Sequence, residues 1–222
     1  MSSIRNITAS TTVPDDLARR LGPSGVKEIL MTLWRGYHDL ISDDTIIISE
    51  NTGEDDITQE WYGKISQRWA NENRATSLRT RNIGPVHQYQ DSTFKKNRGY
   101  KPTIDFCFRD WDTSNSYFGA ECKNLHNHRK HDIKRYVDTG VNNYTSGRYG
   151  SQSSESSIIG YVLSGKISEL VKELTDEIAT VMPINNLYRE SLYENPQYAS
   201  SHRRITDDNE ITLHHLFFDF TH

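Results

Sequence analysis

Residues 100–125, YKPTIDFCFRDWDTSNSYFGAECKNL, hold the pattern from which the arrangement of this chain is read. Two runs rich in β-branched and aromatic residues, 103–108 and 117–123, flank a polar connection carrying Asp110, Asp112, Asn115 and Ser116. Such a pair predicts two short strands joined by a turn-rich link. Strand side chains alternate between faces. Ile104, Phe106 and Phe108 are therefore expected on one face with Asp105 on the other. Phe118, Ala120 and Cys122 are expected on one face of the second strand, with Glu121 and Lys123 opposite. With the apolar faces turned to the core, Asp105, Glu121 and Lys123 converge at the centre of a sheet. A surface hairpin with solvated charges is the competing reading.

Two carboxylates and an ammonium on rigid strands suit metal-assisted hydrolysis of a phosphodiester. Hard divalent cations such as Mg²⁺ bind one or two carboxylates together with waters and substrate phosphate. A bound cation lowers the pKa of water and offsets charge building on the phosphoryl oxygens. Lys123 would orient the attacking water or stabilise that charge.

The motif resembles that of the PD-(D/E)xK nuclease superfamily. It is carried here by Pro102-Thr103-Ile104-Asp105 and, after a hairpin-length gap, Glu121-Cys122-Lys123. Thr103 and Ile104 separate the proline from Asp105, so the literal Pro-Asp pair is absent. The resemblance implies a restriction-endonuclease-like α/β fold, a mixed central sheet flanked by helices with an αβββαβ core. It implies Asp105 and Glu121 as catalytic metal ligands and Lys123 as the catalytic lysine. Mg²⁺ is the implied cofactor, with Mn²⁺ able to substitute. An acidic residue on the first core helix is implied as a further ligand, and Glu54 is the matching position.

The 222 residues suit one domain with a sizeable core. A hydrophobic share of 34% and a mean hydropathy of −0.76 mark a polar chain. No apolar run approaches the ~20 residues of a membrane span, and MSSIRNITASTT has no signal-peptide core. A cytoplasmic protein without a membrane partner is expected. The net charge of −4 lacks the overall footprint of a nucleic-acid binder, which leaves local basic patches to do that work. Cys107 and Cys122 fall on opposite faces of the hairpin, so no disulfide between them is expected.

On the N-terminal side, residues 1–13 read as flexible. A short helix is expected to end at Gly22-Pro23. A second opens at Ser24, with Val26, Leu30, Trp34, Tyr37 and Ile41 at helical spacing. His38 beside that stripe reads as a packing residue. Residues 45–49 are β-branched and read as a short strand or extended entry. Ile57, Trp61, Ile65 and Trp69 then predict a helix over 54–71. At ~100° per residue Glu54 falls between Trp61 and Ile65 on its buried face. Asp55 and Glu60 stay open as alternatives, and acids at a helix N-terminus also complement its dipole. Residues 79–89 read as the first core strand, broken or bulged at Gly84-Pro85. Arg74, Arg79 and Arg81 precede it, and Lys95, Lys96 and Arg98 follow in a loop beside the site. They suit a phosphate backbone or an ordinary solvated connection.

After Lys123, residues 132–144 predict a helix with Ile133, Val137, Val141 and Tyr144 inward. Lys134 and Arg135 lie near its start, on the side that the resemblance turns to substrate. His126, His128 and His131 beside Arg129 and Lys130 read as a phosphate-contacting turn rather than a zinc site. Arg148-Tyr149 reads as a nucleic-acid contact or a loop pinned by tyrosine packing. Residues 157–163 fit a buried strand, and 166–181 an amphipathic helix ended by Met182-Pro183. Residues 185–193 read as a short helix and 211–220 as a strand. Tyr188, Arg189, Tyr193, Tyr198, His202, Arg203 and Arg204 mix aromatics and bases. That mixture suits base stacking and phosphate binding, or a tyrosine-rich flap.

The expected organisation is one nuclease domain. Residues 1–53 form a helical N-terminal extension, 54–163 the catalytic core, and 164–222 an α/β C-terminal extension. The expected function is a divalent-metal-dependent endonuclease on DNA, with RNA open beside it, in bacterial restriction or anti-phage defence. Cutting both strands needs a second site, which a homodimer would supply. Two alternatives stay open: a nucleic-acid- or partner-binding module without activity, and an effector nuclease activated by a separate recognition or sensor protein.

Overall fold

Apolar side chains at three- and four-residue steps build the first helix, α1 (Leu17–Ile41), in a computed structural model that describes residues 16–71, 82–91, 101–111, 117–181, 187–189 and 195–221. Residues 1–13, Arg74, Arg79, Arg81, Lys95, Lys96, Arg98, Met182-Pro183 and Tyr193, for which the sequence carries expectations, lie outside the described residues. The Asp16 carboxylate caps α1 by accepting the Ala18 and Arg19 N–H groups. Gly22 breaks the helix at φ 67, a conformation that favours glycine, so two helical pieces meet at the expected place. Helix α2 is Glu54–Asn71. It crosses α1 at Gly36, where an added Cβ would lie 2.4 Å from Ile65 Cγ1.

Three antiparallel strands follow: β1 (Ile83–Gln90), β2 (Thr103–Asp110) and β3 (Tyr117–His126). Helix α3 begins as Lys130–Arg135, passes through a π-helical stretch, Tyr136–Val141, and ends as Asn142–Thr145. It carries the chain across to β4 (Glu155–Ser164), which runs parallel to β3. Helix α4 (Ile167–Val181), β5 (Tyr188–Arg189), β6 (Gln197–Arg203) and β7 (Glu210–Asp219) complete the order. The result is a mixed α/β fold around a seven-stranded sheet, β1-β2-β3-β4-β7-β6-β5.

Both faces of the sheet are covered. Helices α1 and α2 pack on Phe106, Phe108, Phe118, Cys122, Tyr161 and Phe218. Helices α3 and α4 pack on Cys107, Leu125, Ile158, Val162 and Phe217. That explains the near-continuous apolar run of β4, a strand buried on both sides. Cys107 and Cys122 are free, buried and in different faces of the core, as their alternation predicts. No helix among the described residues is long and apolar enough to cross a membrane.

Two expectations need correction. Ile104 packs with the α3–α4 core instead of sharing a face with Phe106 and Phe108. The irregularity falls where Gln88 takes φ 50 and Asp105 leaves the ladder. Of the two readings left open for residues 45–49, the structure takes the extended entry and not the strand: Ile46 and Ile48 pack inward and Ile47 is 87% exposed. Tyr188–Arg189, expected in a helix, is a strand pairing with Ala199 and Tyr198. Strand β6 itself was not anticipated; its central Ala199, Ser200 and Ser201 carry little β signal, and the pairing with β7 supplies it.

Candidate active site

The site sits where β2 and β3 part. Their pairing ends at Phe106–Ala120. One step further the Asp105 carboxylate, not the backbone, takes the Cys122 N–H at 2.7 Å. Glu121 and Lys123 lie two residues apart on β3, and the Lys123 ammonium donates to Glu121 Oε1 at 2.8 Å. It also donates to the Cys122 carbonyl at 2.6 Å and to Glu54 Oε1 at 3.2 Å, and lies 4.0 Å from Asp105 Oδ2.

Glu54 arrives from the first turn of α2. Its Oε2 accepts the Asn124 N–H at 3.0 Å and the Arg135 guanidinium from α3. The Asn124 side chain donates to the Thr52 carbonyl at 3.0 Å, tying the entry of α2 to β3. Thus α2, β2, β3 and α3 each send a charged side chain to one place. Glu121 and Lys123 are each 5% exposed, while Asp105 and Glu54 are partly open to solvent.

The electrostatics are those of crowded carboxylates. Burial pushes Glu121 up to about 8; the Lys123 charge opposes the shift and Asp105 adds to it. Burial raises Asp105 as well, again opposed by Lys123. Burial alone would depress Lys123, but the charges of Glu121, Glu54 and Asp105 outweigh it and hold the ammonium above its ordinary range. Glu121 Oε2, Asn124 Oδ1 and the buried Tyr144 hydroxyl have no hydrogen-bond partner among the described residues. An unpaired buried acceptor costs ~1–3 kcal/mol, so the cluster carries unused binding capacity.

Asp105, Glu121, Lys123 and Glu54 are thus brought together; Asp55 and Glu60 are exposed, and Asp55 reaches the cluster through its charge, which adds to the rise of Asp105. Among the described residues no group of three or more His, Cys, Asp or Glu side chains forms a ready metal cage; the Lys123 ammonium lies among the carboxylates instead.

The expected phosphate-binding bases divide. Lys130, Lys134 and Arg148 are exposed, and Arg129 is half-buried beside His128. Arg135 is exposed but engaged with Glu54, a contact the sequence reading missed because helical periodicity gives no distance between α2 and α3. Arg203 pairs with Asp208 at 3.5 Å. Arg204 contradicts its assignment: it is 3% exposed and donates to the Ser153 carbonyl beneath the β4 entry. His126 is also removed from a phosphate-contacting turn, since it is buried between Asp132 Oδ2 at 2.6 Å and the Glu50 carbonyl at 2.9 Å. His202 is buried against Ser200, which takes it out of any base-stacking surface. Tyr149 is pinned, donating to the Thr103 carbonyl at 3.1 Å. No protein-family profile, curated protein or solved structure matches this chain.

Proposed function

We propose that this chain is a divalent-metal-dependent nuclease with a restriction-endonuclease-like core made by α2, β1, β2, β3, α3 and β4. The observation that carries the reading is the convergence of Glu54, Asp105 and Glu121 on the Lys123 ammonium, with Glu121 Oε2 unpaired. The antiparallel β1–β2–β3 ladder followed by a helical crossover to a parallel β4 is the frame that the motif resemblance calls for.

The residues fit a hard cation. The donors are carboxylate oxygens, one of them lacks a partner, and burial has raised two of the carboxyls that a cation would return to their ionised form. Glu54, Asp105 and Glu121 would hold Mg²⁺ or Mn²⁺, which supplies charge neutralisation at phosphorus and a more acidic water when bound.

The chain's own groups do the rest. The Cys122 N–H fixes the Asp105 carboxylate, and the Asn124 N–H and Arg135 fix Glu54. Lys123, held by Glu121 and the Cys122 carbonyl, presents positive charge to a phosphoryl oxygen or a hydrogen bond to the attacking water. Hydrolysis forms a P–O bond to the water oxygen and breaks one ester P–O bond, without a covalent enzyme intermediate. DNA is the first substrate to try, with RNA beside it, and restriction or anti-phage defence is the setting proposed by analogy.

The test is incubation of supercoiled plasmid, single-stranded DNA and RNA with the protein in Mg²⁺, in Mn²⁺ and in chelator. Cleavage is expected with metal and lost in chelator, in Glu121→Ala and in Lys123→Ala. Cleavage that survives both substitutions refutes the site.

A further inference from the structure

At the β1–β2 edge, away from the carboxylate cluster, an arginine lies between two aromatic rings, with no anion paired to it among the described residues. The Arg109 guanidinium is 5.2 Å from the centre of the Tyr89 ring and 5.4 Å from that of Trp111. Among the described residues it makes no hydrogen bond and no ion pair. Trp111 is 56% exposed, yet it is seated: its backbone N–H donates to the Asn82 carbonyl at 3.1 Å, and its indole lies over Gly84, where a Cβ would come within 2.9 Å of Nε1. Tyr89 is braced edge-on by the buried Tyr117 ring, centroids 5.2 Å apart.

A fixed, exposed indole costs hydrophobic free energy, and a guanidinium between rings with no acceptor among the described residues keeps its hydrogen-bonding capacity unused. One ligand chemistry satisfies both at once: a flat unpaired base on the indole, with its phosphate on the arginine. Stacking on exposed aromatics, helped by arginine, is how single strands are held without sequence preference. A duplex keeps its base faces inside the stack and offers only the phosphate.

We propose that Tyr89, Arg109 and Trp111 form a stacking platform for single-stranded nucleic acid leading to the carboxylate site. This deepens the nuclease reading by naming its substrate form, and rests on that reading only for the nucleic-acid class. Arg109 and Asp105 lie four residues apart on one strand. That is roughly 13 Å at ~3.3 Å per residue, the length of about four stacked nucleotides at ~3.4 Å each.

The test measures anisotropy of short labelled single-stranded DNA, single-stranded RNA and duplex DNA in chelator, where no cleavage is needed. Trp111→Ala and Arg109→Gln are expected to weaken single-strand binding by about tenfold, within the range of one lost stacking contact, and to leave duplex binding unchanged. Trp111→Phe, which keeps a ring, is expected to retain most of the affinity, and the DNA and RNA arms identify the sugar. Equal single-strand binding by wild type and both variants overturns the platform, as does the absence of any binding by wild type. Self-association of wild type abolished by Trp111→Ala, with nucleic-acid binding unaltered, overturns it in favour of a second copy of the chain. Single-strand binding lost in Trp111→Ala while wild type cleaves nothing would keep the platform and refute the nuclease. Glu121-dependent cleavage with binding unaltered in both variants would do the reverse.

Discussion

Lys123 is the residue on which the site's electrostatics turn. Among the described residues its ammonium is the one cation buried amid Glu54, Asp105 and Glu121, so deleting it leaves carboxylates facing each other at low exposure. Removing one partner of a buried ion pair costs about 3–5 kcal/mol. Lys123→Ala is therefore expected to lose about 3 kcal/mol in urea unfolding at pH 8 in chelator, and to recover part of it in Mn²⁺; an unchanged midpoint would contradict the pairing. Glu121 adds a pH signature. Its folded pKa of about 8 stands above the model-peptide value of 4.5, so the folded state binds the extra proton between those limits. Stability of the metal-free protein should fall as pH rises through that window. A divalent cation prefers the ionised carboxyl, so stabilisation by Mn²⁺ should grow from pH 6 to pH 8.5 in wild type and shrink sharply in Glu121→Gln. Thermal melts at the two pH values check this.

At the scale of elements, the contact between α1 and α2 gives a prediction that separates packing from propensity. Alanine for glycine inside a helix normally stabilises by about 0.5–1 kcal/mol. At Gly63 on α2 nothing lies within 4 Å of the added Cβ, and Gly63→Ala should show that gain. At Gly36 the Cβ would lie 2.4 Å from Ile65 Cγ1, and Gly36→Ala should instead cost about 1–3 kcal/mol as overpacking. Chemical denaturation of the two variants settles the signs. The same scale shows what the sequence could reveal. Helix α2 was legible to its ends because Ile57, Trp61 and Ile65 keep one period, and β2 and β3 because their apolar letters alternate. The meeting of Glu54 with Lys123 was approachable from the wheel of α2 and the two-residue spacing on β3. The engagement of Arg135 and the burial of Arg204 were not, since each depends on a neighbour remote in sequence, and β6 was hidden by its small, weakly β-forming centre although its partner β7 follows it directly. The Arg109 stack was missed because one ring comes from β1 and the other from just past the end of β2, and its spacing follows no motif.

Across the whole molecule two titrations oppose each other. Burial depresses His202 to about 4 and places His215 well below its ordinary range, in a network running from His202 through Ser200 and His215 to Tyr136. These histidines are neutral when folded and charge on unfolding, so stability is lost as pH falls from 6.5 towards 4. His202→Gln should reduce that acid sensitivity, by up to about 3 kcal/mol at pH 4. Above pH 6.5 only the carboxylate slope remains, and metal-free wild type should lose stability steadily to pH 8. The most direct test of the central claim, that Glu54, Asp105, Glu121 and Lys123 make a divalent-metal site, is calorimetric titration of Mn²⁺ into the protein at pH 8, alone and with single-stranded DNA. It depends on neither the right substrate sequence nor an activating partner. Saturable binding by wild type, lost in Asp105→Ala, is the predicted result. No heat of binding under either condition, or binding undiminished by Asp105→Ala, would contradict it.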